Sequence, residues 1–211
     1  GGEVGACGNA SRAVALLHGA PAMVETAGGT IALEPSDGGA SVDMGVPRFD
    51  WDAIPLDYPM DTLRIPVGWG DLAEPGAANV GNPHVVFFVA DSDAVALDSL
   101  GPEIETDPLF PERINVNVAT IVDRTRIRLR VWERGAGLTL ACGTGACAAA
   151  VAAHRRGLTG RTVEVTLDGG TLVIEWRADN HVVMTGPTAI AFRGHFDTTL
   201  LDAAGAATAA A

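Results

Sequence analysis

Lysine is absent from this chain: all 14 basic residues are arginine. That excludes a lysine Schiff base, and with it the usual route to pyridoxal phosphate chemistry. It also excludes the lysine of a phosphate-binding P-loop. Positive charge is scarce too. Against 26 acidic residues it leaves a formal net charge of -12, so a nucleic-acid partner, which needs a basic face to neutralise phosphates, is not expected. Cysteine occurs three times, as Cys7, Cys142 and Cys147, an odd and small number that does not suit a secreted disulfide framework. No stretch approaches the roughly 20 apolar residues of a membrane span. No secretory signal is visible, and the chain lacks a starting Met. The expectation is a cytoplasmic protein without membrane segments.

What is present suits a globular protein of one or two domains: 211 residues, 47% hydrophobic and 19% charged. A first helix is expected from Gly8 to about His18, stopped by Gly19. Residues 23–46 read as short strands separated by Gly28-Gly29 and Ser36-Asp37-Gly38-Gly39. The proline-rich stretch 47–66 reads as an irregular connection. Then come a buried strand at Val85–Val89, a short helix at Val95–Leu100, and strands at Ile114–Ile121 and Arg126–Trp132. A turn follows at Gly135-Ala136-Gly137, and a second helix runs from Gly143 to Arg156, capped by Gly157. Strands at Thr162–Leu167 and Thr171–Trp176 flank a hairpin signal at Asp168-Gly169-Gly170. A strand at Val182–Met184, one at Ala189–Phe196 and a frayed tail from Ala203 complete the outline. Arg124, Arg126, Arg128 and Arg130 alternate, which reads as a solvated strand face rather than a phosphate groove.

Two segments carry the chemistry. Cys7-Gly8-Asn9 and Cys142-Gly143-Thr144 each place a thiol, a glycine and a small polar residue ahead of an alanine-rich helical run. Each sulfur is therefore expected at a helix N-terminus, where unpaired N–H groups and the dipole favour an anion. A thiolate there should have a lowered pKa and be reactive. Two such thiols suit two-base proton transfer at the Cα of an α-amino or α-hydroxy acid. One removes the proton, the other delivers one to the opposite face, and the first-turn N–H groups hold the carboxylate as charge flows into it. The pair titrates as a unit.

Other constellations are weaker. Cys147 reads as core. Cys142 and Cys147 lack the usual zinc spacing, and no metal is expected. Gly143-Thr144-Gly145-Ala146-Cys147-Ala148 matches a dinucleotide fingerprint formally, but residues 133–140 separate it from the preceding strand. His18, His154, His181 and His195 read as surface or cap residues.

The motifs Cys7-Gly8-Asn9, Gly81-Asn82-Pro83-His84, Phe110-Pro111-Glu112-Arg113-Ile114-Asn115-Val116, Glu133-Arg134-Gly135-Ala136-Gly137, Ala141 through Ala146 and Met184-Thr185-Gly186-Pro187 together resemble the diaminopimelate epimerase family. The resemblance implies an α/β (α+β) fold of two pseudo-symmetric halves. Each half is a curved sheet wrapped around a central helix, with the site in the cleft between. Residues 1–56 and 188–202 would form the first half, 57–187 the second and 203–211 a tail. The final strand after Pro187 would return to the first half. It implies cofactor-independent interconversion of LL- and meso-diaminopimelate in lysine and peptidoglycan synthesis, and a possible homodimer. By resemblance, Cys7 and Cys142 are the two bases, with His84 and Glu133 tuning them. Gly8, Asn9, Gly143 and Thr144 hold the reacting carboxylate, and Asn82, Asn115, Glu133 and Arg134 grip the distal amino-acid end. The chain departs from the family by about 70 residues expected before the first cysteine, which implies a fragment of a longer protein. The competing readings are a proline or hydroxyproline racemase-like enzyme, a thiol redox or binding protein, and a catalytically dead scaffold.

Overall fold

The computed structural model describes residues 7–27 and 29–195. Three helices, α1 (Gly8–His18), α2 (Leu97–Glu105) and α3 (Gly143–Arg155), accompany thirteen strands. The strands are β1 (Ala22–Thr26), β2 (Gly29–Ser36), β3 (Gly39–Asp43), β4 (Gly68–Trp69), β5 (Leu72–Ala73), β6 (Gly76–Asn79), β7 (Pro83–Phe88), β8 (Asn115–Asp123), β9 (Arg126–Glu133), β10 (Gly137–Thr139), β11 (Thr162–Leu167), β12 (Gly170–Trp176) and β13 (Val182–Pro187). Eleven of them form one sheet in the order β1-β2-β3-β13-β12-β11-β9-β8-β7-β6, with β10 hydrogen-bonded to β9. The pairs β7–β8 and β9–β11 are parallel; the other neighbours are antiparallel. The remaining two, β4 and β5, make a separate ribbon.

The sheet curls around α3. Residues 143–153 of that helix are all buried, as expected for a helix apolar on every side. Glycine and alanine keep it thin enough for strands to approach closely: a Cβ on Gly76 would sit 3.6 Å from the Ala152 side chain. On α1, by contrast, only Gly8 and Ala15 are buried, and Val14 and Leu17 are exposed. α1 packs on β2 and β3.

Strand parity sorts the core into two layers. On β9, Ile127, Leu129 and Val131 join the cluster around α3, while Trp132 faces the second cluster, which contains Leu97 and Ile104 of α2. On β8, Val116 and Val118 face α2, so Asn115 and Asn117 face α3. On β7, Val85 and Phe87 face α2, which turns His84 toward α3. Polar side chains of three strands thus converge on the start of the central helix, Glu133 among them.

Several boundaries differ from expectation. The helix expected at Val95–Leu100 begins at Leu97 and continues through Pro102 to Glu105. β6 was not anticipated, because Gly-Ala-Ala-Asn carries no β-branched or aromatic signal; proximity to α3 requires its small residues. β10 extends the turn after β9 into a short hairpin. The strand expected at Ala189–Phe196 does not form over 189–195. β13 occupies the place between β3 and β12, and its ladder ends where Thr188 N–H meets the Gly38 carbonyl; residues 189–195 pair with no strand. Phe196, part of the proposed return segment, and the tail 203–211 lie outside the described residues. Arg126 is exposed as expected of a solvated face. Arg128 and Arg130 are half buried, Arg128 paired with Asp93 and Asp168, Arg130 donating to the Ser92 and Val95 carbonyls.

Candidate active site

Both cysteines stand at N-cap positions. Cys7 has φ -144° and ψ 97°, Cys142 φ -131° and ψ 108°, extended conformations from which the helix turns away. The two helix starts touch. A Cβ on Gly143 would lie 3.2 Å from Gly8 Cα and 2.9 Å from Met184 Sδ, and one on Gly8 would lie 2.6 Å from Met184 Cε. Only glycines let the two backbones meet over this buried methionine. Asn9 Nδ2 donates to the Ala141 carbonyl (3.2 Å), tying α1 to the turn that carries Cys142. Arg12 donates to Asn9 Oδ1 (3.1 Å) and to Met184 Sδ (3.5 Å). Gly143→Ala should therefore displace α1 or Met184 at a cost of about 1–3 kcal/mol, the usual penalty of overpacking. The urea midpoint reads this, and an unchanged midpoint would contradict the close approach.

The two thiols sit in unlike surroundings. Cys7 is exposed; Cys142 is buried. Cys142 Sγ lies 3.5 Å from Thr144 Oγ1 and accepts the Gly145 N–H at 3.4 Å. These contacts favour the thiolate, but they do not win. Burial, reinforced by the charge of Glu133, pushes the Cys142 thiol up to about 12. The sequence-based expectation that both thiols are lowered is thus corrected at Cys142: desolvation of a sulfur enclosed by the sheet outweighs the helix N-terminus. Cys147 is buried as expected, and burial raises it to about 12 as well.

Glu133 reaches the Cys142 side of the sheet because it continues the parity of Leu129 and Val131. Thr139 Oγ1 donates to its Oε1 at 2.6 Å. His84 is fully buried, and both ring nitrogens are engaged. Asn117 Nδ2 can only donate, so Nδ1 accepts from it (3.1 Å) and Nε2–H donates to Asn82 Oδ1 (2.9 Å). Burial, together with the nearby Arg134 charge, lowers His84 to about 3, so it is neutral near pH 7. It meets α3 through Asn117, whose Oδ1 is buried without a hydrogen-bond partner and lies 2.6 Å from where a Cβ of Gly145 would be. Asn115 is a brace: its Nδ2 donates to the Pro83 carbonyl (2.7 Å) and its Oδ1 accepts the Arg134 N–H (2.9 Å). The exposed guanidinium of Arg134 donates to the Glu112 carbonyl (3.0 Å) through Nη1, leaving other N–H groups free of that bond.

Gly8, Asn9, Gly143 and Thr144 therefore lie around one junction with Cys7, Cys142 and Glu133. Asn82, His84, Asn115 and Arg134 form an adjoining network that enters through Asn117. Asn117 and Arg12 were not singled out from sequence, and Met184 only as part of a motif, without a role at the junction. The alternation Asn115-Val116-Asn117-Val118, two amides on one face of an apolar strand, was the available signal for Asn117. A cavity of about 100 Å³ beside the junction is lined by Asn9, Arg12, Ala141 and the Gly169–Leu172 hairpin among others. A larger one of about 480 Å³, between Tyr58, Trp69 and Asp107, contains none of these groups. Among the described residues no three His, Cys, Asp or Glu side chains are grouped to hold a metal ion, and no helix is long and apolar enough to cross a membrane.

The family model for diaminopimelate epimerase matches residues 76–191. Diaminopimelate epimerase of Erythrobacter litoralis is 72% identical over 197 residues, 93% of this chain and 73% of the relative. That of Rhizorhabdus wittichii is 61% identical over 203 residues, 96% of this chain and 74% of the relative. Among solved structures, a predicted epimerase from Pseudomonas aeruginosa shares the fold at a TM-score of 0.62 and 18% identity, covering 87% of this chain and 71% of the other. A hydroxyproline epimerase from Agrobacterium vitis does so at 0.57 and 16%, covering 79% and 56%. With the matched model spanning the second cysteine motif and the Glu133-Arg134 turn, and relatives aligned along most of its length, the chain belongs to the diaminopimelate epimerase family.

Proposed function

We propose that this protein interconverts LL- and meso-diaminopimelate by proton transfer between two cysteines, without a cofactor. The observation that carries the reading is the junction itself: two N-cap cysteines on helices whose first residues touch, one thiol exposed and one buried beside Glu133. The reacting α-carboxylate would lie against the first-turn N–H groups at Gly8, Asn9, Gly143 and Thr144, which also stabilise the carbanion's spreading charge. Cys142, raised to about 12, carries a proton at neutral pH and is the resting acid. Cys7 as thiolate takes the Cα proton: the C–H bond breaks, an S–H bond forms, and the electron pair moves into the carboxylate. Cys142 then delivers its proton to the opposite face and is left as thiolate. Burial and, after it, the charge of Glu133 keep Cys142 protonated; His84 acts indirectly, as a neutral link in the Asn82–Asn117 network.

Arg134, with Asn82, Asn115 and Glu133, would hold the distal amino-acid end, a fork-shaped cation suiting a carboxylate. Proline offers no such end, which disfavours the racemase-like alternative. The site would lie where residues 1–56 and 188–202 meet residues 57–187. Three free thiols suit a reducing cytoplasm.

The test is proton NMR of the protein with diaminopimelate in D2O under reducing conditions. Loss of the Cα–H signal, with LL and meso forms interconverting, is the expected result. An unchanged spectrum over hours at micromolar protein would refute the activity for this chain.

A further inference from the structure

Glu105 is 5% exposed at the C-terminal end of α2, where the helix dipole disfavours negative charge. A carboxyl group is rarely buried without partners, and those of Glu105 lie around one turn. Oε2 accepts the Trp132 indole N–H at 2.7 Å, Oε1 accepts the Gly135 N–H at 3.0 Å, and the Arg113 guanidinium approaches to 3.6 Å. Trp132 and Gly135 bracket Glu133 and Arg134. The Trp132 ring is wedged between α2 and this turn: a Cβ on Gly101 would lie 2.5 Å from it, and one on Gly137 3.6 Å. The turn itself needs glycine, with φ 74° at Gly135 and 87° at Gly137. Asn115 holds the Arg134 N–H from the other side. The backbone of the Glu133-Arg134 turn is thus fixed at both ends by Glu105 and Trp132, on the face away from the substrate junction, and between them by Asn115.

We propose that Glu105 is a positioning residue for substrate recognition: by holding Trp132 and Gly135 it aims Arg134 at the distal carboxylate. The inference rests on the proposed diaminopimelate activity and adds the group that fixes its specificity turn. A glutamine at 105 has one oxygen for two N–H donors, so one donor must face an amide NH2, and the turn loosens.

The experiment is a double-mutant cycle on KM and kcat for diaminopimelate with Glu105→Gln, Arg134→Met and the pair. The expected result is a KM about tenfold higher in Glu105→Gln with a smaller fall in kcat, and an increment of less than about twofold once Arg134 is already methionine, because the two act through one contact. An unchanged KM, or the same tenfold increment in the Arg134→Met background, overturns the proposal. Should Glu105→Gln not fold, Trp132→Phe keeps an aromatic ring, though a smaller one, removes the N–H donor, and is held to the same outcomes. A parent protein without turnover refutes the function and this inference with it. A parent that turns over while Glu105→Gln matches it refutes the inference alone.

Discussion

Replacing Cys142 with alanine is expected to abolish measurable epimerisation, lowering kcat by about 10³-fold or more. Proton transfer by a positioned group is worth roughly 10²–10⁴, and without Cys142 the proton cannot reach the second face of Cα except through water. The substitution should leave the fold intact. It removes one sulfur that contacts Thr144 and Gly145, a small loss of packing compared with that of deleting a large side chain. Kinetics in both directions, alongside urea denaturation at pH 7, separate chemistry from stability. A variant with wild-type turnover would refute the assignment of Cys142 as acid. The pH dependence gives a second check. Because the charge of Glu133 contributes to the elevation of Cys142, Glu133→Gln should bring that thiol down from about 12, moving any alkaline limb of kcat to lower pH. A limb that does not move would place the titration elsewhere.

The second large effect concerns acid stability. His84 is neutral when folded, with its pKa lowered from 6.5 to about 3 by burial first and by Arg134 next. The unfolded chain therefore binds a proton at position 84 that the folded chain refuses. The stability this contributes is fully present above pH 6.5 and is lost as pH falls through the window from 6.5 to about 3. At 1.36 kcal/mol per pKa unit, about 2 kcal/mol should vanish between pH 7 and pH 5, where most carboxylates remain ionised. Urea unfolding at the two pH values measures the loss. His84→Asn should be less stable at pH 7, since Asn82 and Asn117 lose their partner, and should show a drop between pH 7 and pH 5 smaller by that amount. An equal drop in both proteins would mean that His84 is not the group responsible.

Much of this was legible in the residues. The helix starts at Gly8 and Gly143 follow from a small polar context ahead of alanine-rich runs, and the stops at Gly19 and Gly157 follow from the left-handed conformation that both adopt, with φ 74° and 71°. The strands expected at 114–121, 126–132, 162–167 and 171–176 followed from β-branched alternation and turn signals, and they stand at 115–123, 126–133, 162–167 and 170–176. β6 was not legible, since its small residues answer to a helix far away in sequence rather than to strand propensity. Nor was the missing strand at 189–195, because a sequence with strand character becomes a strand only where it meets a neighbour to pair with.

The site divides along the same line. Local sequence was enough to name two cysteines and their glycines, because helix-terminus chemistry depends on neighbours in the chain; Glu133 and Arg134 were named only through the resemblance to a family. Only the tertiary structure decided how those groups behave. Cys7 and Cys142 share a sequence context but not an environment. α3 is enclosed by the curled sheet and α1 is half bare, so one thiol is desolvated beside Glu133 and the other meets water. His84 became a neutral link and Asn115 a brace because strand parity faced both toward α3, with Asn82, Asn117, Pro83 and Arg134 as partners. Desolvation and long-range pairing are properties of where the chain returns, and no local pattern encodes them.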